Sequence, residues 1–87
     1  MEGMSSTNLS TVKADKVVDA RGTSCPGPLL DTKIAMAAVP IGGIVETMSS
    51  DEGSKADIPI WAKATGQEFL GVVNEPGYDR IFVKRLK

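Results

Sequence analysis

The chain has 87 residues, 41% of them apolar and 24% charged, with a net charge of −1. That size makes one small domain near the lower limit for an independent core. No run approaches the roughly 20 apolar residues of a transmembrane helix, and the slightly negative charge argues against non-specific nucleic-acid binding.

Residues 1–14 read as a flexible tail, short of apolar side chains and without periodicity. Met1 and Met4 are both possible starts, and the Ser/Thr/Asn-rich stretch from Met1 to Ser10 has no apolar core of a secretory signal. The domain is expected over 15–87. Lys16 to Ala20 forms a first strand and runs into an Arg21-Gly22-Thr23-Ser24 loop. Pro28 to Val39 forms a helix, with Pro28 in its first turn and Pro40-Gly42-Gly43 ending it. Leu30, Ile34, Ala37 and Ile41 follow a helical spacing and are expected to be its buried stripe. Ile44 to Ser49 is the second strand.

A polar turn, 50–54, leads into a second helix ending at about Thr65. Ser54-Lys55-Ala56-Asp57 resembles a capping box with Asp at its last position. Ile58, Trp61 and Ala62 share the core face, and Pro59 is expected in the first or second turn or at a kink. Trp61 can alternatively contact a partner. Gly66 closes the helix. Glu68 to Asn74 and Tyr78 to Leu86 are strands joined by Glu75-Pro76-Gly77; in the last strand Ile81 and Val83 face one way, and Arg80, Phe82 and Lys84 the other. The order β-α-β-α-β-β implies an α/β (α+β) two-layer sandwich, a four-stranded mixed sheet with two helices on one face. The first two strands are expected to be parallel.

Cys25 is the only cysteine, and there is no histidine. A Cys/His zinc site, a Cys–His dyad and a Cys-x-x-Cys pair are therefore excluded within the chain. A lone thiol suits a reducing compartment, hence the cytoplasm. Cys25 precedes the expected helix start, where the dipole and unpaired N–H groups favour thiolate, the reactive form. The competing reading is a small buried hydrophobe, but its flanks, Ser24 and Pro26, offer little apolar cover.

Pro26 and Pro28 fix φ and remove two donors, and Pro26 biases Cys25 to extended backbone. They present the thiol, or they only start the helix. Gly27 leaves room for a docking partner, or only gives backbone freedom. Arg21 is the nearest cation to Cys25 in sequence. It stabilises the thiolate, meets a partner, or is simply solvated, with Asp19 as a possible pair. Lys84-Arg85-Leu86-Lys87 with Arg80 reads as a solvated strand edge able to steer acidic partners. It is too short and too poor in aromatics to indicate RNA binding.

Asp19 to Leu29, containing Cys25-Pro26-Gly27-Pro28, resembles the Cys-Pro-x-Pro signature of the TusA/SirA-like sulfur-carrier family. Ser49-Ser50-Asp51, Asp57-Ile58-Pro59-Ile60-Trp61 and Gly66-Gln67-Glu68-Phe69-Leu70 extend the resemblance over residues 16 to 87. It implies a sulfurtransferase working by half-reactions, with sulfane sulfur held as a persulfide on Cys25 and Pro26 and Pro28 shaping the loop. No metal, pyridoxal phosphate or other cofactor is implied beyond that covalent sulfur. The implied partners are a donor (rhodanese, DsrE-like protein or cysteine desulfurase) and an acceptor such as a heterodisulfide-reductase-like complex, with no direct nucleic acid and no membrane. Members in tRNA thiolation often carry Leu and Arg where this chain has Thr23 and Ser24. Gly27 between the prolines, followed by Leu29-Leu30, looks more like members associated with dissimilatory sulfur oxidation. The alternatives are sulfur relay for tRNA thiolation or molybdenum-cofactor synthesis, and a regulatory or RNA-binding module with an incidental Cys25.

Overall fold

The computed structural model describes residues 12–23 and 27–87. Strand β1 (Lys16–Asp19), helix α1 (Gly27–Ala38), β2 (Ile44–Ser49), α2 (Glu52–Thr65), β3 (Glu68–Glu75) and β4 (Tyr78–Lys84) follow in that order. The sheet order is β1-β2-β4-β3. β1 and β2 are parallel, as expected of strands joined through a helix. β4 runs antiparallel to both β2 and β3.

Both helices lie on one face of the sheet. Ala35 and Met36 of α1 and Ile58 and Ala62 of α2 share a core with Val45, Ile81 and Val83. Val45 pairs with Val83, and Ile81 lies two residues from Val83, so these side chains point to the same face. Trp61 is half-buried against this core, on the side its spacing implies. Each fully buried aliphatic contributes about 1.5–3 kcal/mol relative to exposure.

The buried face of α1 differs from the expected stripe. Leu30, Ile34 and Ile41 are 50%, 71% and 69% exposed, and Ala37 is exposed as well. The helix turns Pro28, Thr32, Ala35 and Met36 to the sheet instead. Apolar residues occur on nearly every face of α1, so periodicity alone does not choose between stripes. The smaller Thr32 and Ala35 give the face that lies against β2.

Helix α2 starts earlier than the Ser54 box implies. Asp51, extended at φ −95° and ψ 123°, is the N-cap, and Ser54 is the third helical residue. Its backbone N–H donates to the Asp51 carbonyl at 3.2 Å, and its hydroxyl to Asp51 Oδ2 at 3.2 Å. Pro59 is the eighth residue of α2, at the start of the third turn, because the helix begins earlier than the Ser54 box implies. Gly66, at φ 79°, ends the helix in a Schellman arrangement: its N–H donates to the Lys63 carbonyl and that of Gln67 to Ala62.

The basic end does not lie on a sheet edge, because β4 is an interior strand; Leu86 and Lys87 beyond it are exposed, whereas Arg80 is not. Arg80 Nε donates to Glu46 Oε2 at 2.9 Å, and its Nη1 to Glu75 Oε2 at 3.4 Å. The guanidinium carbon stands 5.2 Å from the centroid of Phe82. Phe82 is fully buried although it points away from the helices. Arg85 Nη1 donates to the Val39 carbonyl at 2.6 Å, supplying a cation at the end of α1; α1 carries none in its own last turn.

Candidate functional site

Because β1 and β2 are parallel, both end at the same edge, where the 20–26 and 50–51 connections begin. α1 and α2 start at that edge, and the Pro76-Gly77 turn of the β3–β4 hairpin lies there too, since Ser49 pairs with Asp79. In α/β sheets the carboxyl ends of strands are a common place for function.

The approach to the motif is an ordered turn. Ala20 N–H donates to the Met48 carbonyl at 2.9 Å, and Thr23 N–H to the Ala20 carbonyl at 3.1 Å. Gly22 sits at φ 82°, a conformation that side chains disfavour, and its N–H donates to Ser50 Oγ at 2.9 Å. Arg21 forms a two-point pair with Asp19, Nε to Oδ1 at 2.9 Å and Nη2 to Oδ2 at 2.8 Å. Its guanidinium carbon lies 5.0 Å from the centroid of Tyr78. Thus the Asp19 pairing is the arrangement observed for Arg21.

Hydrogen bonds from the Arg21 side chain and then its backbone N–H lower the Asp19 pKa to about 2. The pair's contribution is complete above the ordinary Asp value of 3.8 and is lost as pH falls through about 2. An NMR titration of the Asp19 carboxyl is expected to show a midpoint near 2, returning toward 3.8 in Arg21→Ala.

Beyond the motif, Gly27 opens α1 and Pro28 is buried. A Cβ on Gly27 would collide with the Thr23 Cγ2 methyl, so the two stems pack closely and a larger residue there needs that methyl to turn away. Thr32 Oγ1 donates to the Pro28 carbonyl at 2.7 Å and lies 2.6 Å from Thr47 Oγ1. Since the Thr32 proton is used on Pro28, Thr47 donates to Thr32. Both threonines are fully buried. Thr32→Val strands the Thr47 donor and is expected to cost about 1–3 kcal/mol; the double Thr32→Val/Thr47→Val variant should be nearly neutral. Denaturant midpoints of the singles and the double check this cycle.

Cys25 and Pro26, with Ser24, lie outside the described residues. Gly27, Pro28 and Arg21 are brought to one edge beside Ser50 and Tyr78. Thr32, Thr47 and Ser50 were missed as contributors. For Thr32 the available signal was its place four residues after Pro28 and four before Met36, on a stripe without Leu or Ile.

A shallow polar cleft at the same edge is lined in part by Ser50, Lys55, Asn74, Tyr78 and Asp79. Four of its polar groups, Lys55, Glu52, Asn74 and Asp79, pair among themselves. Lys55 Nζ is 3.0 Å from Glu52 and 3.5 Å from Asp79, and Asn74 Nδ2 donates to Asp79 Oδ1 at 2.6 Å. Glu52, then Asp79, raise the Lys55 pKa above its ordinary value. Among the described residues no group of three acidic, His or Cys side chains could hold a metal ion. No helix among them is long and apolar enough to cross a membrane.

The arrangement defines a small α+β domain whose sheet edge carries the residues on either side of Ser24-Cys25-Pro26. The crystal structure of a SirA-like protein from Desulfitobacterium hafniense shares the fold, with a TM-score of 0.73 at 22% identity over 83% of this chain and 99% of that one. The family model described as sulfurtransferase TusA matches residues 16–85, and the chain belongs to that family. It is 51% identical over 71 residues to a candidate sulfur carrier protein of Archaeoglobus fulgidus, covering 82% of this chain and 97% of the relative. It is 32% identical over 71 residues to the sulfur carrier protein TusA of Allochromatium vinosum, covering 82% of this chain and 93% of that protein. Sulfur carriage is the general role this membership supports.

Proposed function

We propose that this protein carries sulfane sulfur as a persulfide on Cys25 and relays it between a donor and an acceptor protein. The observation that carries the reading is the family match across 16–85, which includes the Cys25-Pro26-Gly27-Pro28 motif. Cys25 stands two residues before the first residue of α1, where a helix N-terminus favours thiolate. The thiolate attacks the outer sulfur of a donor persulfide, the Cys25 Sγ–S bond forms, and the donor leaves as its thiolate. The proton stays on the transferred sulfur, and there is no net oxidation. An acceptor thiolate then attacks that sulfur and frees Cys25.

Pro26 and Pro28 shape the loop, and no metal or organic cofactor takes part in the exchange. Arg21, half-exposed in its pair with Asp19, is positioned to contact a partner rather than to offer an unopposed charge to the thiolate. Gly27 with Leu29-Leu30 favours a place in dissimilatory sulfur oxidation, and Thr23 and Ser24 point away from tRNA thiolation. The donor would then be rhodanese or a DsrE-like protein and the acceptor heterodisulfide-reductase-like, in a reducing, cytoplasmic setting.

Incubation with a sulfur donor is expected to add about 32 Da to the wild type and nothing to Cys25→Ser. An equal gain in the variant contradicts the assignment. Affinity capture distinguishes the pathway: recovery of tRNA-thiolation or molybdenum-cofactor enzymes instead of sulfur-oxidation partners overturns that part of the proposal. Full biological activity in Cys25→Ala would support the regulatory or RNA-binding alternative.

A further inference from the structure

Both stems of the 24–26 segment are tied to the end of a single strand. Upstream, Ala20 is bonded to Met48 and Gly22 to Ser50 Oγ. Downstream, the Pro28 carbonyl accepts from Thr32, which in turn accepts from Thr47. The stems also meet each other, since a Cβ on Gly27 would collide with the Thr23 methyl where it now stands. Residues 47–50 thus hold positions 22 and 28 at a fixed separation, and Cys25 stands midway between these positions in the sequence.

We propose that Thr47 and Ser50 are positioning residues for sulfur transfer at Cys25. The proposal rests on the reading of Cys25 as the sulfur-bearing residue. Neither residue is assigned contact with the travelling sulfur; each acts through a stem. Displacement of one sulfur by another requires the attacking, transferred and leaving sulfurs to line up, and a misplacement of about 1 Å can cost on the order of a hundred-fold in rate. Two anchors, Thr47 within β2 and Ser50 just after it, fix where the flanking residues Gly22 and Pro28 stand before a partner arrives. Thr47 is fully buried and Ser50 exposed, so one anchor is protected by the core and the other can be removed without opening it.

The test uses glutathione persulfide as donor, with sulfur uptake timed by quenched intact-mass measurement. Cys25 alkylation by iodoacetamide is followed against pH in parallel. Thr47→Val and Ser50→Ala are expected to remain folded, to take up sulfur on the order of ten-fold more slowly, and to show a raised alkylation midpoint. Thr47→Ser restores the hydroxyl and with it the wild-type rate and midpoint. Wild-type uptake and alkylation profiles in both Thr47→Val and Ser50→Ala, with no uptake by Cys25→Ser, overturn the positioning proposal and leave the Cys25 reading intact. Uptake by Cys25→Ser at the wild-type rate overturns both. Should Thr47→Val fail to fold, Ser50→Ala decides alone, since its side chain lies outside the core.

Discussion

Met36→Ala is expected to destabilise the domain by about 2–5 kcal/mol, while Ile34→Ala changes stability by no more than about 0.5 kcal/mol. The two residues are two apart on α1 and face opposite environments. Met36 is 4% exposed within the cluster formed with Val45, Ile58 and Ile81, whereas Ile34 is 71% exposed. Removing the Met36 side chain loses its transfer free energy and leaves a cavity between α1 and β2. Trimming Ile34 removes atoms that already meet water. Urea unfolding of the two variants reads the difference as a shift in midpoint. The reverse ranking would restore the Leu30–Ile34–Ile41 stripe as the buried face.

Glu46→Ala is expected to cost about 3 kcal/mol, at the lower end for breaking a buried ion pair. Glu46 is 6% exposed. It accepts from Arg80 Nε at 2.9 Å and Nη2 at 3.3 Å. Without it the guanidinium keeps only the longer 3.4 Å contact with Glu75 and its place beside the Phe82 ring. The loss is held to the lower end because that contact survives. Replacing both partners, as in Glu46→Leu/Arg80→Leu, should recover most of the loss, since two apolar side chains leave no unpaired charge. Unfolding midpoints of the single and double variants test this. A single variant as stable as the wild type would mean that the pair contributes nothing.

These two sites show where the sequence was legible. The strands were, because Gly66 and Pro76-Gly77 interrupt cleanly and Ile81 and Val83 alternate with Arg80 and Lys84; β2 has the expected bounds, Ile44–Ser49. Strand order was not. Arg80 and Lys84 on the last strand resemble a solvated edge until β4 is placed between β2 and β3. There Arg80 covers Phe82 and pairs across strands with a residue 34 positions away, and no local pattern announces such a partner. The face of α1 was illegible for a different reason. Large side chains dominate a periodicity reading, yet the helix buries its small ones, Thr32 and Ala35, against the sheet. At the candidate site, the Cys-Pro-Gly-Pro motif was readable, and the Thr47–Thr32 and Ser50–Gly22 bonds were not, because they join residues 15 and 28 apart.

Carriage of sulfur on Cys25 is tested most directly by peptide-level mass spectrometry of the donor-treated wild-type protein. The expected result is one added sulfur, about 32 Da, confined to the peptide containing Cys25 and removed by a reducing thiol such as dithiothreitol, which releases it as sulfide. Added sulfur on a peptide without Cys25, or no added sulfur on any peptide under conditions that load a persulfide carrier, would contradict it.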